Sequence, residues 1–434
     1  MTSHDTRTRQ LPQGVGRLTG PWWAFIAIAS AVLLFGVYAY WRQASGGLGE
    51  TALADTGTMG GATWGLYVVM VEYFIGVSFA GVAIAALARV FHIADLKPVT
   101  RIAELLTVGS LLVGLAAVLI DLGHPARGLW HLLLYARPQS AFFATFTLVG
   151  VGLLLASLVY LFLGGRRDAA IMATYESRLN WYHRWWASGY TDTGPERERH
   201  MRAMFWLSIG IVPLLVVSLS TEGLVFGLQV GRPGWFGSMQ APDFLVLAAA
   251  SGVANLIVLA AMVRRALGKA GEAVESAFPW LGRILLAAAL AGLYFMVVEM
   301  VSLLYATPAD ERLIAEALLT GVYAPITWLS FGLMLIGLAI LTRLAAKRAW
   351  HVGPLVLASV LVSISAFAER YLTVVPSQTH GMLLPYEIGA YFPNWLEIAV
   401  GAGLFALGAL LIGLFIKVFP AIPMTDEEEV SAHA

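Results

Sequence analysis

Long uninterrupted apolar runs recur along the whole sequence, and no other feature limits its fold so tightly. About 20 helical residues cross a hydrocarbon core about 30 Å thick. Runs of that order are read at Pro21–Tyr40, Thr63–Phe91, Val99–Ile120, Ala141–Gly164, Met204–Leu224, Phe244–Val263, Ile284–Tyr305, Ile314–Leu341, Val352–Val375 and Trp395–Val418. Inside lipid every backbone polar group must be paired within the spanning structure, which leaves only helices and closed barrels. A barrel would show segments of about ten residues with alternating polarity, whereas these runs are apolar throughout. The sequence therefore predicts an all-α polytopic membrane protein with ten transmembrane helices. Its composition agrees, with 59% hydrophobic and 12% charged residues, against roughly a quarter charged in soluble domains. Arg7, Arg9 and Arg17 precede the first run in the manner of a signal peptide. That run is nevertheless of full spanning length and no small-residue cleavage site follows it, so it reads as a retained helix.

Lysine and arginine favour cytoplasmic loops. Of the 27 basic residues, 21 fall at the two termini and in the loops after the second, fourth, sixth and eighth helices, and the other six are Arg42, Arg127, Arg137, Arg232, Arg312 and Arg370. Both termini are thus expected in the cytoplasm. The expected organisation is a cytoplasmic tail (1–20), a first bundle of four helices (21–164), a cytoplasmic loop (165–202), a second four-helix bundle (203–341), two further helices (342–420) and an acidic tail (421–434). The 165–202 loop carries Trp181, Trp185 and Trp186, which read as an interfacial anchor.

Several chemistries are excluded. The chain has no cysteine, so it forms no disulfide and holds no cysteine-ligated iron–sulfur cluster. Its nine histidines all fall in loops, tails or helix ends, whereas a haem between membrane helices needs axial histidines at depth. The net charge is zero and the basic residues are dispersed, so no nucleic-acid surface is marked.

The acidic side chains inside the apolar runs are asymmetric. At 1.5 Å of rise per residue, Glu72 lies near the middle of its helix, while Glu299, Glu369 and Arg370 lie in the outer third. Asp121, Glu222 and Glu397 lie at or just inside outer helix ends, and Glu104 falls in the inner half. A charge at the bilayer centre costs at least about 2.5 kcal/mol, which points to proton handling. For Asp121, Glu222 and Glu397 an interfacial position explains the placement as well as a function does. Glu369 and Arg370 are adjacent, about 100° apart around a helix, so each is expected to pair with another helix.

The stretch Asp121-Leu-Gly-His-Pro-Ala-Arg-Gly-Leu-Trp-His, with Arg137-Pro-Gln-Ser140 after it, resembles the signature of the NrfD/PsrC family of quinone-interacting membrane subunits. His124 stands where that signature usually has arginine. Trp64-Gly-Leu-Tyr, Glu72-Tyr-Phe-Ile-Gly, Ser218 to Glu222, Pro233-Gly-Trp, Tyr294 to Pro308, Glu369-Arg-Tyr and Tyr391-Phe-Pro-Asn-Trp point to its ten-helix branch. The resemblance runs from Trp64 to Pro420. It implies a subunit without haem or iron–sulfur cluster that binds quinone or quinol (menaquinone or ubiquinone) near the outer face of a bacterial or archaeal cytoplasmic membrane. It also implies partners: an extracytoplasmic ferredoxin-like iron–sulfur subunit, and a catalytic subunit that is a hydrogenase, molybdoenzyme, sulfur enzyme or cytochrome c.

A quinone site needs groups that bind the ring oxygens and exchange protons with them at hydrogen-bond distance. Asp121 and His124 are expected at its mouth, Glu72 and Glu222 as further ring-oxygen or proton partners, and Tyr67, Trp130 and Tyr135 along the ring. For His124 a helix-capping or inter-subunit role competes, and for the aromatics an interfacial one. Glu299, Glu369 and Arg370 would relay protons inward, with Glu104 continuing to the cytoplasmic side. Two other classes fit the same helices: a proton-coupled secondary transporter, and a purely structural anchor. Transporters tend to repeat helix breaks in corresponding halves, and Pro213 and Pro325, read inside helices, do not occupy matching places.

Overall fold

The computed structural model describes residues 11–53, 64–135, 147–305, 309–380 and 389–424. Their regular structure is helical throughout. The first half contains α1 (Gly20–Gly46), α2 (Leu66–Val90), α3 (Thr100–Asp121), α4 (Pro125–Tyr135), α5 (Thr147–Met172), α6 (Asn180–Ala187) and α7 (Gly194–Gly227). The second contains α8 (Gln240–Leu267), α9 (Phe278–Tyr305), α10 (Ala309–Leu319), α11 (Ala324–Ala346), α12 (Val352–Val374), α13 (Pro376–Thr379) and α14 (Trp395–Val418). Among the described residues nine segments are long and apolar enough to cross a membrane. One of these, Gln240–Tyr305, spans 66 residues and holds two helices, α8 and α9, joined by the 3-10 segment Gly268–Ala277.

Helix starts follow backbone chemistry. Pro21, Pro195 and Pro325 occupy the first turns of α1, α7 and α11, where a missing N–H costs nothing. Pro325 corrects the sequence reading, which ran one helix from Ile314 to Leu341. The chain instead ends α10 at Leu319, turns with the Tyr323 N–H bonded to the Ala317 carbonyl at 3.1 Å, and restarts at Ala324. Proline clashes with the preceding turn and cannot continue a helix through that point. Pro213, by contrast, lies inside α7.

α2 is the most enclosed of these helices and α1 the least. α2 packs against α3, α7, α8, α12 and α14, while α1 lies mainly on α14. There Gly36 meets Gly403, and a Cβ on Gly36 would stand 2.8 Å from the Gly403 Cα. Small residues at such crossings let backbones approach in lipid, where no hydrophobic force drives helices together. The outward side chains of α1, such as Ile28, Leu34 and Phe35, are exposed and apolar, as expected of a surface that meets acyl chains. One core runs through α2, α3, α8, α9, α11 and α12. We call the end at which α2, α8, α11 and α14 begin the top, and the opposite end the bottom.

At the bottom, Arg89 binds Glu104 at 2.6 Å and Arg101 binds Asp168 at 2.7 Å. The segment that leaves α14 is held there too. Asp168 accepts the Met424 N–H at 3.3 Å, Gln13 exchanges two hydrogen bonds with the Ile422 backbone, and Trp186 stacks on Phe419. Trp186 is therefore buried, while Trp181 and Trp185 are exposed. Of the three tryptophans expected as an interfacial anchor, Trp186 is thus taken up by internal packing.

Candidate functional site

Two groups of enclosed ionisable residues lie at the top, on different sides of α2. The first surrounds Arg370 of α12, which is 2% exposed. Its Nη2 donates to the Phe244 carbonyl at 3.1 Å, and its guanidinium lies 3.7 Å from the centre of the Phe244 ring. This cation is within electrostatic reach of Glu72 (α2), Glu222 (α7), Asp243 (α8), Glu299 (α9) and Glu369 (α12). Glu72 and Glu222 lie near each other, an approach that two full charges would oppose. Among the described residues no hydrogen-bond partner reaches Glu72 Oε2, either oxygen of Glu222, Glu369 Oε1 or Arg370 Nη1. These are open sites for a proton or a small polar molecule in a region where an unmet polar atom is costly.

Aromatic rings close this group from above on the α2 and α7 side. Trp64 and Trp235 stack at 5.5 Å, and Phe226 stands edge-on to both. Phe226 also packs at 5.5 Å on Phe244. Trp235 Nε1 donates to the Thr373 carbonyl at 2.6 Å, which fixes the stack over α12. Gly223 permits the crossing of α7 and α8, because a Cβ there would come within 2.7 Å of the Gln240 carbonyl.

The second group lies between α1, α2, α3 and α14. The Tyr67 hydroxyl donates to Gln43 Oε1 at 2.5 Å, and both residues are buried. Asp121, the last residue of α3, is within electrostatic reach of Tyr67 and Glu397. Its Oδ1 is enclosed and has no hydrogen-bond partner among the described residues. Glu397 is fully occupied: it accepts the N–H groups of Ala52 at 2.9 Å and Asn394 at 3.0 Å, and the hydroxyl of Tyr391 at 2.5 Å. With Asn394 it forms a capping box at the start of α14, so its primary role is structural. Tyr391 joins the two groups, because the hydroxyl of Tyr371, the residue after Arg370, donates to its carbonyl.

The structure thus brings Glu72, Glu222, Glu299, Glu369 and Arg370 together, and sets Asp121 and Tyr67 apart from them. His124 and Trp130 are exposed on and beside α4. Tyr135 ends α4, and its side chain, like Arg137 to Ser140, lies outside the described residues. Glu104 is at the bottom with Arg89; from Glu72 to Arg89 α2 rises about 25 Å. Sequence reasoning missed Asp243, three residues inside α8, because an acid in a first turn is an ordinary helix-start signal. Its position one residue before the run at Phe244 was the available clue.

Together these features define a polytopic helical membrane protein that collects ionisable groups at one end of its bundle and satisfies only some of them internally. The chain belongs to the NrfD family, described as polysulphide reductase, whose pattern matches residues 54–380. A subunit of the selenate reductase of Mesobacillus selenatarsenatis is 27% identical over 424 residues, covering 93% of this chain and 95% of that protein. The Hdr-like menaquinol oxidoreductase integral membrane subunit of Archaeoglobus fulgidus is 25% identical over 431 residues, covering 94% and 96%. A putative dimethyl sulfoxide reductase membrane subunit of Halobacterium salinarum is 28% identical over 270 residues, covering 61% of this chain and 57% of its own length.

Proposed function

We propose that this chain is the quinone-binding membrane subunit of a respiratory oxidoreductase complex. It takes quinone or quinol at the Asp121 group and handles the coupled protons with the Arg370 group. The top then faces outward, the helices cross a bacterial or archaeal cytoplasmic membrane ten times with both termini inside, and electrons are exchanged with an extracytoplasmic ferredoxin-like iron–sulfur subunit that serves a catalytic subunit. The basic residues support this orientation, since Arg89, Lys97, Arg101, Arg166 and Arg167 gather at the bottom, the side expected in the cytoplasm.

The observation that carries the reading is the enclosed, unpartnered Oδ1 of Asp121 beside Tyr67 and Glu397. A carboxylate oxygen left unmet at a membrane-buried helix end is costly unless a donor completes it. A quinol ring hydroxyl is such a donor, and a bound quinol supplies two electrons and two protons. Asp121 would orient the ring and accept a proton at Oδ1. Tyr67, fixed by Gln43, would hold the adjacent wall, and the chain Glu397–Tyr391–Tyr371 ties this site to Arg370. The names of the relatives, as subunits of reductases and of a menaquinol oxidoreductase, support the same assignment.

Purification of the tagged chain in mild detergent tests it. The expected result is co-isolation with an iron–sulfur subunit and a quinol-oxidising or quinone-reducing activity that quinone-site inhibitors block. A chain that isolates alone and transports a solute would contradict it, as would a complex that binds no quinone.

A further inference from the structure

The carboxyl groups around Arg370 are not equally enclosed. Glu72, Glu222 and Glu369 are 4%, 0% and 6% exposed, and they lie under the stack of Trp64, Trp235 and Phe226. Asp243 and Glu299 keep accessible surface. Asp243 is also nearest a helix end, in the first turn of α8 directly after the exposed residues Met239 and Pro242. Gln240, at the start of the same turn, stands against Glu299, which in turn is within reach of Asp243 and Glu369. Among the described residues Asp243 makes no side-chain hydrogen bond and no ion pair at contact distance, although it shares the field of Arg370. A first-turn acid whose only task was to favour the helix dipole would have no reason to join a buried cation on another helix.

We propose that Asp243 is the proton port of the Arg370 group, with Glu299 and Gln240 as its inner neighbours, connecting Glu72 and Glu222 to water at the top of the bundle. The aromatic stack covers the group on the α2 and α7 side. In each passage Glu299 gives its proton to the Asp243 carboxylate, and Asp243 gives one to water. Glu299 is reprotonated from Glu369 or Glu222, the cluster returns to its starting charge when these in turn take up a proton released by quinol, and Arg370 remains charged throughout. This rests on the function proposed above, because protons must be delivered to the group by quinol chemistry.

Two measurements on the intact complex test it. The first compares turnover of Asp243→Asn and Glu72→Gln, with and without added formate, a small weak acid that can carry protons in place of a lost surface carboxyl. The expected result is at least a tenfold loss of turnover in both, with formate restoring Asp243→Asn severalfold and leaving Glu72→Gln unchanged. Wild-type turnover in Asp243→Asn, or a loss that formate does not relieve, overturns the proposal. The second needs no variant: a water-soluble carbodiimide with an amine nucleophile is applied to the wild-type complex and the adducts are mapped by mass spectrometry. Asp243 should be modified before Glu72, Glu222 and Glu369, and modification of Glu72 or Glu222 ahead of Asp243 overturns the port. If the wild-type complex turns over no quinol, the function proposed above fails, while the labelling order still decides whether Asp243 is the opening.

Discussion

Tyr67 and Glu72 stand five residues apart on α2, about 140° apart around its axis, and they serve different groups of acids. Tyr67 faces Gln43, Asp121 and Glu397. Glu72 faces Glu222 and Arg370. A single central helix therefore separates the site assigned to the quinone ring from the site assigned to protons.

Arg370 is the one cation within reach of Glu72, Glu222, Asp243, Glu299 and Glu369 among the described residues. Removing one partner of a buried ion cluster typically costs about 3–5 kcal/mol. Arg370→Gln is expected to lower the thermal stability of the purified complex by an amount of that order. Arg370→Lys should restore only part, since an ammonium cannot lie flat on the Phe244 ring while binding its carbonyl. Thermal unfolding in detergent checks both, and an unchanged midpoint in Arg370→Gln would count against the cluster.

Glu104 holds Arg89, whose guanidinium lies 4.5 Å from the centre of the Tyr160 ring. Replacing it leaves a largely buried guanidinium unpaired, again an expected cost of about 3–5 kcal/mol. Glu104→Gln should therefore lower stability, and Arg89→Met added to it should recover part of the loss. If Glu104→Gln instead keeps full stability and loses turnover, a relay role replaces the structural one.

His183 gives a pH prediction outside the spanning helices. Burial holds its ring below the ordinary value. Its Nε2 contacts the Val418 carbonyl at 3.0 Å, and its Nδ1 has no partner among the described residues. The folded chain therefore favours the neutral ring, while the unfolded chain binds a proton from about pH 6.5 downward. The contribution is complete above that value and is lost as pH falls toward the lower folded value. Wild-type thermal stability should thus drop more steeply from about pH 7.5 to about pH 5.5 than that of His183→Gln, and parallel curves would refute the assignment.

Much of this was legible in the sequence because hydrophobic length and helical rise are one-dimensional quantities. They place Glu72 near the middle of its helix, Glu299, Glu369 and Arg370 in the outer third, and Glu222 at or just inside an outer helix end. Azimuth is not one-dimensional. The quinone-site expectation put Asp121 and Glu72 in one site, and only the packing of α2 against α3 on one side and α7, α8 and α12 on others separates them. Asp243 was hidden for a related reason: its first-turn position has a sufficient local explanation until Arg370, more than a hundred residues away, is seen beside it. Glu397, for which depth left an interfacial position as good an explanation as a function, takes part in the capping box at the start of α14. The break between α10 and α11 could have been read from Gly321 and Pro325, but the apolar run carried across them.

The most direct test of the account is steady-state electron transfer with a soluble quinol analogue in membranes carrying Asp121→Asn, compared with wild type at equal complex content. Asparagine keeps the size of the side chain and removes its ability to take a proton. The expected result is an assembled complex with wild-type stability whose quinol-linked rate has fallen at least a hundredfold. A wild-type rate in Asp121→Asn would contradict the assignment of the quinone site.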